Sequence, residues 1–295
     1  DESFRMAAIS DFNASYGSTT YRSSVHESVT LIQNLKAELV VSAGDLVAGQ
    51  KRGLEDDEIW AMWDGFTSAV TSPLQKAGIP FAPVAGNHDA SGYPAFVRER
   101  EIFQEHWRKP DQKPDFQFID DEHYPLFYTF SYKNTFFMVL DVTTLEPLPD
   151  AKWEWMETQL TEASDFNLRF ASAHVPPYPI AQGREHEIIP APDNDRLHAL
   201  FVEHGLDVFL TGHHHAYFKG RKEGLNLVSL NCAGNGPRPL IGEEAAQPQS
   251  FLVIDIVDGK IEQFFALQSD ARIFPDETLP LKLEHAGYLL PRFDQ

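Results

Sequence analysis

Ile79-Pro80-Phe81-Ala82-Pro83-Val84-Ala85, followed at once by Gly86-Asn87-His88-Asp89, is the stretch whose reading decides the fold. Its first part is an apolar run of strand length, and its second places an amide, an imidazole and a carboxylate on the loop beyond the run. Open α/β sheets build their sites at the carboxyl ends of their strands. An isolated Asn-His-Asp also suits an ordinary turn, so the neighbouring segments carry the decision.

Toward the amino terminus the pattern repeats. Phe4–Ile9 reads as a short buried strand that delivers Ser10-Asp11-Phe12-Asn13, and Leu39–Ala43 as a second that delivers Gly44-Asp45. A helix from about Ser24 to Lys36 presents Val25, Val29, Ile32 and Leu35 on one side. Another, over Asp56 to Lys76, packs through Ile59, Trp60, Trp63, Phe66 and Val70. Strand, loop and helix recur with the polar residues always after the strand, as a parallel sheet with right-handed crossovers requires.

Toward the carboxyl terminus, about Ala90 to Tyr124 breaks this rhythm and reads as an insertion covering the site, with a helix over Pro94–Trp107. Phe127–Tyr132 and Thr135–Asp141 read as strands joined at Lys133-Asn134, stepping into a second sheet. Trp153, Met156 and Leu160 mark a further helix and are core residues. Leu168–Ala173 is a strand ending in His174, and Asp207–Thr211 one ending in Gly212-His213-His214-His215, with a helix of about Asp193–His204 between them. In an extended segment alternate residues share a face, so His213 and His215 turn to one site and His214 away from it. Tyr217–Gly220, Leu225–Leu230, Phe251–Val257 and Ile261–Leu267 read as antiparallel strands. With no internal repeat or linker, one domain over residues 1–295 is the simplest organisation.

Composition narrows the function classes. A net charge of -20, with 24 Lys and Arg against 44 Asp and Glu, disfavours nucleic acid as a partner, and a nuclease with it. Cys232 is the single cysteine, which excludes an intrachain disulfide and a cysteine-rich metal site. No apolar run is long enough to span a bilayer. The start at Asp1 fits either a mature chain after leader removal or a trimmed chain, with a periplasmic or secreted location favoured slightly over the cytoplasm. Oligomeric state leaves no mark in the pattern.

Five strand ends thus carry Asp11-Phe12-Asn13, Gly44-Asp45, Gly86-Asn87-His88-Asp89, His174 and Gly212-His213-His214-His215. Hard oxygen donors and imidazoles together suit divalent ions that hydrolyse phosphate esters. In order and placement the set resembles the calcineurin-like metallophosphoesterase superfamily, whose blocks run Asp-x-His, Gly-Asp, Gly-Asn-His-Asp/Glu, His and Gly-His-x-His. The resemblance covers Asp11 to His215. It implies an α/β fold of two mixed β-sheets sandwiched between helices, with the later antiparallel strands in the second sheet. It further implies two divalent or trivalent metal ions (Mn, Fe, Zn, Mg or Ca), one held by Asp11, Asp45 and His215, the other by Asp45, Asn87, His174 and His213. The implied activity is hydrolysis of small phosphomonoesters or phosphodiesters by a metal-activated hydroxide. His88 would donate to the phosphate or the leaving oxygen, and Asp89 would orient it. A metal-binding scaffold with the same fold and little turnover is the alternative.

The chain departs from the family at two places. Asn13 stands where the family has histidine, so it either lends an amide oxygen to the first metal or only hydrogen-bonds in its loop. Tyr16 could reach that metal, contact substrate or simply pack. Ala48 stands where protein phosphatases of the superfamily carry an acid and purple acid phosphatases a metal-binding tyrosine, so neither subfamily is supported. Arg22 and Arg238 are candidates for binding the substrate phosphate, beside an ordinary reading as surface or turn residues.

Overall fold

A computed structural model of the protein describes residues 2–295. In the first of its two main sheets β1 (Phe4–Ile9), β2 (Leu39–Ser42) and β3 (Phe81–Ala82) run parallel and almost wholly buried, as strands covered on both faces must be. The second sheet holds β4 (Gln117–Asp120), β5 (Tyr128–Tyr132), β6 (Thr135–Val139), β7 (Leu168–Ser172), β8 (Val208–Thr211), β9 (Phe218–Lys222) and β10 (Leu225–Ser229). Its order is β4-β5-β6-β7-β8-β10-β9, with β6, β7, β8 and β10 parallel to one another. β11 (Ser250–Val257) and β12 (Lys260–Gln268) return to the first sheet, where β11 lies antiparallel to β1. β13 (Lys282–His285) and β14 (Tyr288–Pro291) pair as a separate ribbon beside β9.

Helices cover both outer faces. α1 (Ser23–Asn34) and α2 (Asp56–Phe66) serve the first sheet, where Phe66 meets Phe12 and Phe81 edge-on. α3 (Ser72–Lys76) continues the line of α2, and α4 (Asn87–Ala90) is a single turn after β3. α5 (Val97–Trp107) packs on α2, with His106 stacked 4.5 Å from Trp63. α6 (Asp150–Glu162) and α7 (Asp193–Glu203) serve the second sheet through the Thr129–Gln159 hydrogen bond and the Phe201–Phe209 contact. Between the sheets, Ser172 Oγ donates to the Ser42 carbonyl at 2.6 Å, which ties β7 to β2 next to the strand ends. No helix among the described residues is long and apolar enough to cross a membrane.

Several elements differ from the sequence expectation for identifiable reasons. The helix expected over Asp56–Lys76 is interrupted by a π-helical turn at Thr67–Thr71. Pro73 has no N–H and its ring crowds the carbonyl of Ala69, which a widened turn relieves. Of Ile79–Ala85 only Phe81–Ala82 pairs, because Pro80 and Pro83 have no N–H to give, and β3 is accordingly an edge strand. The later strands do not all enter the second sheet: β11 and β12 close the open side of β1, and β10 lies parallel to β8. Period-two alternation marks a strand without naming its neighbour. The segment after Ala90 contributes β4 to the second sheet, and its helix reaches the site's edge where Glu99 accepts the backbone N–H groups of Gln50 and Lys51.

Candidate metal centre

All five polar segments meet where the two sheets' strand ends face each other. Asp11, Asp45 and His215 place ligand atoms within 4.8 Å of one another, as do Asp45, His174 and His213. Asp45 belongs to both groups. Asp11, Asp45, His213 and His215 all have positive φ, from 53° to 66°. Aspartate and histidine enter the left-handed region more readily than most residues, yet four such positions in one cluster are uncommon, and backbone strain of this kind persists where the surroundings over-determine it. The His213–His215 segment is therefore not extended. His214 turns away because its flanking residues are left-handed: its Nδ1 accepts from Ile180 and Ala181, and its Nε2 donates to the Glu187 carbonyl.

Glycine is required where the loops pass each other. A Cβ on Gly86 would lie 2.1 Å from the Asp45 nitrogen, and one on Gly212 2.3 Å from Ser10 Oγ and 2.6 Å from Asp11 Oδ2. Without side chains at these positions, β2's acid can sit against the Asn-His turn and β1's acid against the histidine loop.

The imidazoles are arranged as acceptors toward the centre. His174 Nδ1 donates to the Ala43 carbonyl at 2.7 Å and His215 Nδ1 to the Gly236 carbonyl at 3.0 Å, which leaves each Nε2 a lone pair. His213 is reversed: its Nε2 lies 2.7 Å from Glu187 Oε2, and its Nδ1 faces His174 Nε2 at 3.1 Å. His174 Nε2 also lies 2.8 Å from Asn87 Oδ1 and 3.2 Å from Asp45 Oδ2. Asn13 Oδ1 is buried and accepts no hydrogen bond among the described residues, and buried Asp11 Oδ1 faces the His215 Nε2 at 3.0 Å. Lone pairs converging on lone pairs need either extra protons or cations between them, and a metal fits this donor set.

The local charges point the same way. Burial opposes a charged His174, yet the Asp45 carboxylate pushes it up to about 9. Burial likewise opposes ionised Asp45, but His174 and then His88 hold it well below the ordinary carboxylate range. His213 is pulled by burial down to about 4, while its hydrogen bond holds Glu187 down at about 2. That pair is a carboxylate accepting from a neutral imidazole, the arrangement that raises a ligand's basicity.

The remaining residues divide. His88 Nδ1 lies 2.8 Å from the Gly49 carbonyl and its Nε2 4.0 Å from Asp45 Oδ2, so the ring faces the cluster. The expectation that Asp89 orients His88 is corrected: Asp89 Oδ1 accepts from the Leu46 and Val47 N–H groups and Oδ2 from Gly86, which occupies both oxygens. Asp89 caps α4 and pins the loop after Asp45, and the Gly49 carbonyl orients His88 instead. Asn87 Nδ2 donates to Gln50 Oε1 at 2.6 Å, which turns its Oδ1 to the centre. Tyr16 is 59% exposed, with its ring 5.1 Å from that of His88, so it is not a packed core residue. Arg22 is exposed at the start of α1 and makes no hydrogen bond or ion pair with the cluster among the described residues. Buried Ala48 offers only its carbonyl, to the Gly17 N–H. Glu187, Arg184 and Gln50 are absent from the sequence reading, because a polar loop residue has no periodicity that reveals its distant partner.

Residues 4–217 match the sequence model of the calcineurin-like phosphoesterases, and the chain belongs to that family, whose members typically use two metal ions. Its fold is similar to that of the purple acid phosphatase PPD1 from yellow lupin (Lupinus luteus) seeds, at 17% identity and a TM-score of 0.67. That alignment covers 92% of this chain but 52% of the lupin chain, so this chain spans about half its length. A dimetal phosphatase from Danio rerio aligns at 15% identity and TM-score 0.59, over 89% of this chain and 95% of its own. GAP50, the anchor in the inner membrane complex of Plasmodium, aligns at 13% identity and 0.62, over 92% and 87%. At such identities the likeness is one of fold. Comparison with curated proteins found no match.

Proposed function

We propose that the protein is a dinuclear metal-dependent phosphoesterase that cleaves small phosphomonoesters or phosphodiesters by direct attack of water, without a phosphoenzyme. The observation that carries this reading is the pair of ligand groups, Asp11–Asp45–His215 and Asp45–His174–His213, that share Asp45. Asn87 Oδ1 extends the second group and Asn13 Oδ1 the first. Two cations held there would supply a nucleophile near neutral pH and neutralise charge on the phosphate. Imidazole in both groups favours Fe or Zn over Mg and Ca, while the carboxylates also suit Mn.

The chain's own residues do the rest. His88, anchored through Nδ1 on Gly49, is placed to donate from a protonated Nε2 to the phosphate or the leaving oxygen. Tyr16 gives an exposed aromatic face beside His88 against which the leaving group can lie. The scaffold reading rests on Asn13, which leaves the first group one imidazole short of the family pattern. Hydrolysis of aryl phosphates and bis-aryl phosphates by metal-replete protein, with Asp45→Asn alongside, tests the proposal. Loss of hydrolysis in the variant is expected. Unchanged hydrolysis contradicts the mechanism, and wild-type protein that binds metal without turnover supports the scaffold.

A further inference from the structure

Two loops meet on the histidine side of the centre. Ala181 bridges Leu240 in antiparallel fashion, the Gln182 N–H donates to the Pro239 carbonyl at 3.0 Å, and the Ile241 N–H donates to the Ile180 carbonyl at 2.9 Å. This zipper carries Arg184 and Arg238 on adjoining loops, near enough for the charge of Arg184 to act on Arg238. Arg184 Nη1 donates to the His213 carbonyl at 2.9 Å and lies 3.4 Å and 3.5 Å from the two ring nitrogens of His213. Arg238 donates its backbone N–H to the His215 carbonyl at 2.9 Å. Both arginines are therefore tied to residues of the candidate metal centre.

One carboxylate serves two guanidinium charges here. Glu187 pairs with Arg184 at 3.2 Å while also accepting from neutral His213, and its single charge leaves the Arg238 guanidinium without a carboxylate of its own. Glu185 nearby is turned to the Gly183 backbone and to His285 and His186. The Arg238 guanidinium makes no hydrogen bond or ion pair among the described residues, and the Nε atoms of both Arg184 and Arg238 are buried without an acceptor. Leaving charged donors unsatisfied is costly, and a second cation within electrostatic reach adds repulsion. Burial, and then the charge of Arg184, pulls the Arg238 guanidinium below its usual value. In a chain with a net charge of -20, a rigid cationic pair beside the centre is a selective feature.

We infer that Arg184 and Arg238 form a second anion site next to the metal centre, and that the substrate carries a second phosphoryl group, which this pair receives. Planar guanidinium forks match phosphate oxygens in pairs, and the Arg238 Nη groups together with Arg184 Nη2, which carry no hydrogen bond among the described residues and are not sealed off as the two Nε atoms are, supply the donors such an oxyanion satisfies. The inference rests on the phosphoesterase reading for where the first phosphoryl group sits.

Calorimetric titration of metal-loaded wild type, Arg238→Gln and Arg238→Lys with inorganic phosphate and with pyrophosphate tests it, metal content being checked after each titration. Arg238 is chosen because Arg184 also touches His213. Wild type is expected to bind pyrophosphate about tenfold or more tighter than phosphate. Arg238→Gln is expected to lose most of that preference while weakening phosphate far less, and Arg238→Lys, which restores the charge without the fork, to recover part of it. No preference in wild type, full preference in Arg238→Gln, equal loss for both anions, or no recovery in Arg238→Lys each overturns the inference. Aryl phosphate hydrolysis is scored separately: turnover without the pyrophosphate preference removes the second anion site alone, and the preference without turnover removes the phosphoesterase reading alone.

Discussion

Replacing Glu187 with glutamine asks how the centre keeps its imidazoles in the metal-binding form. Glu187 Oε2 lies 2.7 Å from His213 Nε2, and a carboxylate there demands a proton on that nitrogen, which leaves Nδ1 as the lone pair turned to His174. Glutamine keeps the shape but loses the charge. Its amide can present NH2 to the ring, and the proton can then move to Nδ1, the atom a metal needs. Loss of such a partner typically weakens metal binding about 10- to 100-fold. The Glu187 side chain is 38% exposed, so water screens the pair and the lower end applies. The expected loss is about tenfold, or about 1.4 kcal/mol. Chelator competition that resolves the two binding steps is the assay. The site built on Asp45, His174 and His213 should weaken by this amount. The site built on Asp11 and His215, out of contact with Glu187, should change by less than about twofold. Equal weakening of both sites, or of neither, refutes the reasoning.

Three further outcomes follow from the geometry. Gly86 has an ordinary φ of -103°, so Gly86→Ala meets no strain in its own backbone, but its Cβ would lie 2.1 Å from the Asp45 nitrogen and 2.2 Å from Asp45 Oδ1; urea unfolding should show a loss of about 1–3 kcal/mol, with weakened metal binding. His88→Ala should leave metal content intact and lower kcat by about 10²–10⁴-fold for aryl phosphates, which steady-state kinetics with elemental analysis will read. His106 is buried on Trp63 with neither ring nitrogen hydrogen-bonded, and burial pulls it down to about 3. The unfolded chain takes up this proton below about pH 6.5 and the folded chain does not, so stability falls as pH drops toward 3, by about 2 kcal/mol at pH 5. Denaturation of His106→Phe across that range should show a flatter acid limb than wild type.

What the sequence makes legible at this site is what strand periodicity and loop position encode. Asp11, Asp45, His174 and the Gly212–His215 run stand out because each follows a short apolar strand, and the structure brings them together at facing strand ends. The left-handed backbones of Asp11, Asp45, His213 and His215 could not be read, since nothing in an Asp-bearing loop or a His-His-His run announces positive φ. Asp89 was open to a better reading. The third residue after Gly86 is where an acid caps a helical turn, and the Gly86 N–H bond to Asp89 shows that it does. Glu187 and Arg184 reach His213 from a loop without regular structure, through contacts between the loops that follow β7 and β8 of one sheet. The same holds for β11 and β12, whose alternation predicts strands but not their place beside β1.

The central claim is that one bridging carboxylate, Asp45, serves two metal ions in a working hydrolytic site. Elemental analysis of protein reconstituted with Mn, Fe or Zn and freed of excess metal, read together with hydrolysis of mono-, di- and triester aryl phosphates, tests it most directly. Two metal ions per chain with cleavage of monoesters or diesters is the predicted result, and at most one metal ion with no cleavage of any ester contradicts it.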